Sequence, residues 1–515
     1  MSPVKFFENL QNRIKREWKL AFVSAVVIGM MIHLPVLLSD IPNHDGLDSL
    51  YFDQNMITSG RWFLMVACGF SSFYSLPWVI GLLGFLFLGM TAAALVEILE
   101  VKKSWAVILI SGLLVSFPVL TSTFAYVFTL DGYMLALLLA TLSVLFTKKY
   151  RYGFLPGALC LAFSMGVYQA YLSFAMILSI FALLDSFAGA GTVREKLSGV
   201  ARFLLMGIVG TAGYYGILQL LLTIQGKQLA SYQGIDGMTS GGSSGGIVTT
   251  VARMYRDFAA FTLKGNVLFR NGISALACGA LGLAAMGVLV ALVLKRKWWK
   301  RVTFFAIIVA VAVLLPPVTN VILLVSPSVN YHLLMRYQWV LYFIGATAFV
   351  SRYTPETKNG WVWEWLALAA AFILVFFYGV TDNIGYSNLE KKYEKTYAYC
   401  VRLLDRIEQT EGYYQGIPIA MIGVVGDEQF PETDLTKEVT SGMIGIHGDM
   451  LLYTGPNYQK FIRNYLGATL NILPAGAMEE MYYDEEYVAM DSFPGENSIR
   501  IIDGIMYIKT ENTTR

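Results

Sequence analysis

The sequence predicts an all-α polytopic membrane bundle of about eleven transmembrane helices, followed by a small C-terminal extracytoplasmic α/β domain. Three observations lead there. Of 515 residues, 56% are hydrophobic and 14% charged, with a mean hydropathy of +0.55, which is too apolar for an ordinary soluble enzyme. Apolar stretches approaching the roughly 20 residues that cross a bilayer recur up to residue 380. Beyond that point the sequence becomes charged and turn-rich. The chain therefore divides into a membrane domain, 1–380, and a soluble domain, 381–515, long enough to fold as a small unit.

The spans are read at 20–39, 77–98, 104–120, 131–147, 153–167, 171–187, 203–224, 270–294, 302–325, 337–351 and 361–380. Basic residues precede the first (Lys5, Arg13, Lys15, Arg16, Lys19), but no small-residue cleavage site follows it, so it reads as a retained anchor. The interval 153–187 reads as one long helix or two short ones, and loop charge chooses between them. With two spans, 20 Lys and Arg fall on the N-terminal side, including Lys102, Lys103, Lys148, Lys149, Arg352 and the Lys295–Arg301 cluster. Only 7 fall on the opposite side. One merged span would put the cluster outside. The N-terminus is accordingly expected in the cytoplasm and the C-terminus outside. The loop 40–76 and the turns at 121–130, 166–171, 225–268 and 326–336 then face outward.

In the soluble domain, Asn388–Tyr413 has helical charge spacing. Ile417–Val425 reads as a buried strand, and Ile499–Ile508 as a hairpin turning at Asp503-Gly504. Gly423-Val424-Val425-Gly426-Asp427 lacks a Walker lysine and a full glycine fingerprint, so no nucleotide site is read there. Four cysteines without metal spacing give no disulfide framework. A net charge of +2 says little beside the asymmetry across the membrane, and no nucleic-acid partner is expected.

Charge near a bilayer is costly and marks function. His44-Asp45-Gly46-Leu47-Asp48 places two carboxylates just after the first span, three residues apart and so on one helical face. Leu47, Leu50, Tyr51 and Phe52 are expected against the membrane surface. Asp45 suits a general base for an acceptor hydroxyl; a solvated surface loop is the plain reading. Gly60-Arg61 begins the return to the membrane, where an arginine can pair a phosphate bidentately or snorkel to lipid headgroups. Asp131 starts the fourth span, where a helix N-terminus also favours an acid. Tyr168 and Gln169 lie where two short spans meet. Tyr331, His332 and Arg336 form the outer loop before the tenth span, and Arg336 is a second candidate for an anionic group. The 225–268 loop, with its Gly241–Gly246 run, reads as a lid or a plain connector.

These residues resemble the serotype-converting O-antigen glucosyltransferase (Gtr) family of the GT-C class. The resemblance rests on the acidic segment at 44–48, Gly60-Arg61, Tyr168-Gln169, the late Arg336 and an outer C-terminal domain. It implies a polytopic enzyme of the bacterial inner membrane that moves a sugar, typically glucose, from a polyprenyl-phosphate carrier to a surface polysaccharide on the outer face. The family's acidic pair is often adjacent, whereas Asp45 and Asp48 are separated by two residues. On this reading Asp45, Asp48 and Asp131 form the catalytic group, with Asp45 as the base. Arg61, Tyr168, Gln169, Tyr331, His332 and Arg336 bind donor and phosphate. The leaving group is already an activated phosphate, so no cofactor is required and a divalent metal is left open. The expected partners are the lipid-linked sugar donor, the glycan acceptor and the bilayer. Two rivals make other predictions. A flippase of lipid-linked glycans would carry mid-membrane charges and repeated spans. A membrane-anchored binding protein would have featureless spans.

Overall fold

The computed structural model describes residues 2–39, 41–42, 44–48, 53–71, 73–189, 191–230, 246–264, 267–268, 271–326, 329–354, 357–422, 434–448, 451–452 and 455–510, without the side chains of Phe6, Phe7, Leu10, His44, Asp48, Lys358, Asn359, Asp434, Leu435 and Thr436. The chain forms two compact units that interleave in sequence. One comprises Met1–Leu38 and Asp53–Asn383, the other Ser39–Phe52 and Ile384–Arg515.

The first unit is helical. Its main elements are α1 (Arg16–Leu38), α2 (Pro77–Ile98), α3 (Ser104–Ser116), α4 (Val119–Ala125), α5 (Val127–Lys149), α6 (Phe154–Val167), α7 (Tyr171–Ala188) and α8 (Val193–Gln225). They are followed by α9 (Gly246–Lys264), α10 (Gly272–Lys295), α11 (Val302–Thr319), α12 (Val340–Tyr353) and α13 (Lys358–Glu408). Among the described residues, 8 helices are long and apolar enough to cross a membrane, or 9 if α3 and α4 are one bent span. Two of the eleven expected spans, 153–167 and 337–351, are the 14-residue helices α6 and α12, shorter than a straight crossing requires. The expected outer turn at 121–130 is helical and buried, because α4 and the start of α5 occupy it.

The break between α3 and α4, a bend of 52°, has a local cause. Pro118 has no N–H and forces Phe117 into an extended conformation (ψ 124°). The carbonyls a continuous helix would have used are satisfied from elsewhere. The Tyr337 hydroxyl donates to the Leu114 oxygen, and His33 Nε2 donates to the Val115 oxygen at 2.7 Å. The His33 ring also stacks on Phe124 at 4.2 Å.

A girdle of charge joins one end of the bundle. Lys15 and Lys149 pair with Glu97 at 2.7 and 3.2 Å. Lys148 and Arg352 share Glu100 and Asp185 at 2.7–3.2 Å, and Lys103 pairs with Glu364. Asp131 and Lys148 lie near opposite ends of α5, about 25 Å apart at 1.5 Å per residue.

The second unit contains the C-terminal part of α13, the helix α14 (Gly455–Phe461) and a four-stranded sheet. The strands β1 (Pro418–Ile422), β2 (Asn471–Ile472), β3 (Ile499–Ile502) and β4 (Ile505–Lys509) are ordered β2-β1-β4-β3. β1 runs parallel to both neighbours, and β3 and β4 form an antiparallel hairpin. Asp503 and Gly504 both have positive φ (50° and 80°), as a two-residue turn matched to strand twist requires. The described part of the expected strand Ile417–Val425 is β1; residues 423–433, with the Gly423–Asp427 run, lie outside the described residues.

Candidate functional site

Arg61 lies in the first unit, on the segment that joins α1 to α2. Residues 56–61 form a tight turn closed by a bridge between Met56 and Arg61. Three successive carbonyls of that turn accept donors from distant parts of the chain. The Ala230 N–H reaches the Thr58 oxygen at 2.9 Å, Gln169 Nε2 the Ser59 oxygen at 3.2 Å, and the Tyr214 hydroxyl the Gly60 oxygen at 3.1 Å. Gln169 Nε2 also donates to the Tyr214 hydroxyl at 3.0 Å. Gly60 is required here. Its φ is +74°, and a Cβ would lie 2.5 Å from Gln169 Nε2 and 2.7 Å from the Tyr214 hydroxyl. Just beyond it, the Phe63 N–H donates to the Gly166 oxygen at 2.7 Å. The Trp62 and Phe63 rings pack on Phe163.

The Arg61 side chain leaves this turn onto an aromatic platform. Tyr133 and Tyr168 stack with centroids 4.8 Å apart. The guanidinium carbon lies 5.2 Å from the Tyr168 centroid, and Nη1 donates to the Tyr133 hydroxyl at 3.3 Å. Cation–π contact and hydrogen bonding hold the fork in one orientation. Tyr168 continues into an edge contact with Tyr171 at 5.7 Å.

Asp131 is fully buried. Its Oδ1 accepts the Gly132 N–H at 2.8 Å, whereas Oδ2 has no hydrogen-bond partner among the described residues. The Ser71 hydroxyl and the Cys68 thiol nevertheless lie close enough to donate to the carboxylate, so it is not without neighbouring donors. The helix Leu64–Cys68 approaches this closely because a Cβ on Gly132 would sit 2.8 Å from Cys68 Sγ. A second buried acid, Asp382, was not anticipated. Thr121 Oγ1 donates to its Oδ1 at 2.5 Å, and Oδ2 again has no partner among the described residues. Leaving such an atom buried and unsatisfied costs about 1–3 kcal/mol, a cost that concentrates at functional sites.

Arg336 forms a separate centre. Its two terminal nitrogens donate to both oxygens of Asp257, each at 2.7 Å. Its guanidinium carbon lies 3.8 Å from the Tyr331 centroid and 4.6 Å from that of Phe261. The Tyr331 hydroxyl donates to Asn320 Oδ1 and accepts from Gln338 Nε2. An anion at Arg336 must compete with a carboxylate already in place. His332 lies in the same segment, its N–H bonded to the Asn330 oxygen at 2.9 Å.

The acidic segment belongs to the second unit. His44–Asp48 is a 3-10 helix in which Asp45 is exposed. Leu47, expected against the membrane surface, is 1% exposed and sits in that unit's core. The Asp48 side chain, residues 50–52 and the Gly-rich run at 241–245 lie outside the described residues.

The structure thus gathers Arg61, Tyr168 and Gln169, and joins Tyr331 to Arg336. Tyr133, Tyr214, Asp257 and Asp382 were missed by sequence reading. Asp382 had one visible signal, an acid directly after the last predicted span. Among the described residues no group of three or more His, Cys, Asp and Glu side chains is placed to hold a metal ion. No curated protein and no solved structure matches the chain. The sequence profile of the glucosyl transferase GtrII family matches residues 34–353, well over half of the chain, and this membrane protein belongs to that glycosyltransferase family.

Proposed function

We propose that the protein transfers glucose from a polyprenyl-phosphate donor to a glycan on the outer face of the bacterial inner membrane. The observation that carries the reading is Arg61. It is a cation on an aromatic platform, launched from a turn held by three remote donors, at the end of the bundle away from the charged girdle. An anionic lipid-linked head group needs such a preorganised cation. The girdle supports the orientation, since Lys15, Lys103, Lys148, Lys149 and Arg352 mark the cytoplasmic end. The Arg61 end and the C-terminal unit are then extracytoplasmic.

The transfer is a single inverting displacement. Asp45 takes the proton of the acceptor hydroxyl, and that oxygen attacks C1 of the sugar. The bond from C1 to the phosphate oxygen breaks, and polyprenyl phosphate leaves with the electron pair. Arg61 neutralises the charge growing on the phosphate. Tyr168 holds the Arg61 fork against the aromatic platform, and Asp131 stays buried beside Cys68 and Ser71 near the start of α5. Gln169 contributes by holding the Arg61 turn. Arg336 and Tyr331 brace the outer segment of their separate centre through Asp257, Asn320 and Gln338.

The test supplies purified protein with polyprenyl-phosphate glucose and cell-envelope glycan. Wild-type protein is expected to transfer glucose, with Asp45→Asn slower by about 10²–10⁴-fold, the range for loss of a general base. Full transfer by a folded Asp45→Asn protein removes Asp45 as the base. No transfer from any lipid-phosphate donor by wild type removes the reading itself and favours a flippase.

A further inference from the structure

The acidic turn is built into the C-terminal unit, although more than 330 residues of sequence separate it from Ile384. Leu47 is 1% exposed within a core formed with Tyr399, Leu403, Tyr458, Phe461 and Ile462. Its carbonyl accepts the side-chain amide of Asn464 at 3.1 Å. Asn464 lies in a π-helical turn, Ile462–Leu466, that follows α14 directly and ends at Gly467 with φ +73°. Such an irregular turn re-aims the residues it carries and is frequent at functional positions. Asp45, two residues before Leu47, stays exposed. A 3-10 helix of five residues has little stability of its own, so its position depends on what it is anchored to. Two anchors among the described residues are the buried Leu47 side chain and the hydrogen bond to its carbonyl.

We infer that the C-terminal unit is the scaffold that holds the acidic turn in its working position, with Leu47 and Asn464 as positioning residues for Asp45. The inference rests on the assignment of Asp45 as the base, and it gives residues 384–515 a role in the transfer step. A reacting group must be held within a fraction of an ångström of its working geometry, and a free loop after a membrane span does not do this.

The experiment measures kcat and KM for Leu47→Ala, Asn464→Ala and the volume-conserving Leu47→Met in the full-length protein, with amide hydrogen exchange on the same samples. Asn464→Ala removes the hydrogen bond without opening a cavity, so it stays informative if Leu47→Ala unfolds. Leu47→Ala and Asn464→Ala are expected to lower kcat roughly tenfold, the size of a small misplacement of a reacting group. The KM for the lipid donor stays within about twofold. Exchange rises at residues 44–48 while β1 to β4 remain protected, and Leu47→Met behaves as wild type. A normal kcat in Asn464→Ala overturns the inference, as does a loss that only follows unfolding of the sheet. Asp45→Asn, assayed alongside, separates the two claims. If Asp45→Asn transfers normally, the base assignment fails. If it is inactive while Asn464→Ala turns over normally, only the anchoring fails.

Discussion

Gly60 and Arg61 show how much of this site depends on single positions. The turn before Arg61 is over-determined, with the Thr58, Ser59 and Gly60 carbonyls each receiving a donor from far along the chain. Gly60→Ala places a Cβ within 2.5 Å of Gln169 Nε2 and adds about 1–2 kcal/mol of left-handed backbone strain. The variant is expected to lose most transfer activity, read with the lipid donor under initial-rate conditions. Arg61→Lys keeps the charge but loses the planar fork on Tyr168 and Tyr133. Its donor KM is expected to rise about tenfold with the thermal midpoint unchanged; an unchanged KM would remove Arg61 from the phosphate. Sequence alone singled out Gly60, Arg61 and Gln169, yet it cast the glutamine as a sugar ligand. A glutamine in a polar turn has no local property that distinguishes a ligand contact from a bond to Ser59 and Tyr214.

At the scale of the element, the bent pair α3 and α4 is the most informative piece. Pro118 was visible in the sequence, but the stretch 104–120 read as one unbroken span because its hydropathy is continuous. What holds the break is non-local, with donors coming from His33 and Tyr337. His33→Leu removes the donor to the Val115 carbonyl and leaves that oxygen buried. A loss of about 1–3 kcal/mol is expected, seen as a lower thermal midpoint of the solubilised protein. The 14-residue α6 and α12 show the limit of a hydropathy window. It detects apolar stretches, whereas length and burial decide whether a helix crosses the bilayer.

Across the whole molecule, the girdle at one end ties α5, α7 and α12 together through Asp185, which binds Lys148 and Arg352 and accepts a hydrogen bond from Tyr353 at 2.8 Å. Asp185 is 16% exposed, so these pairs are shielded from water more than surface ones. Asp185→Asn is expected to cost about 2–4 kcal/mol by leaving two cations incompletely paired, with a weaker effect on donor KM than Arg61→Lys. Equal effects on KM would contradict the separation of girdle and site. The expected division at residue 380 did not anticipate that 39–52 groups with 384–515. Nothing local to 39–52 announces that Leu47 packs against α14.

The sequence by itself determined a membrane bundle, the approximate position of its helices, the β3–β4 hairpin and the short list of polar residues from which the site is proposed. Those properties are local: apolar length, turn residues and charge in an expensive place. Only the tertiary structure decided the partnerships. Arg336 meets Asp257 across 79 residues, Thr121 meets Asp382 across 261, and Leu47 meets Asn464 across 417. Helices that are apolar all round carry no periodic stripe to show which face packs inward. In lipid that choice is made by close contact and hydrogen bonding between helices, which exist only once the chain has folded.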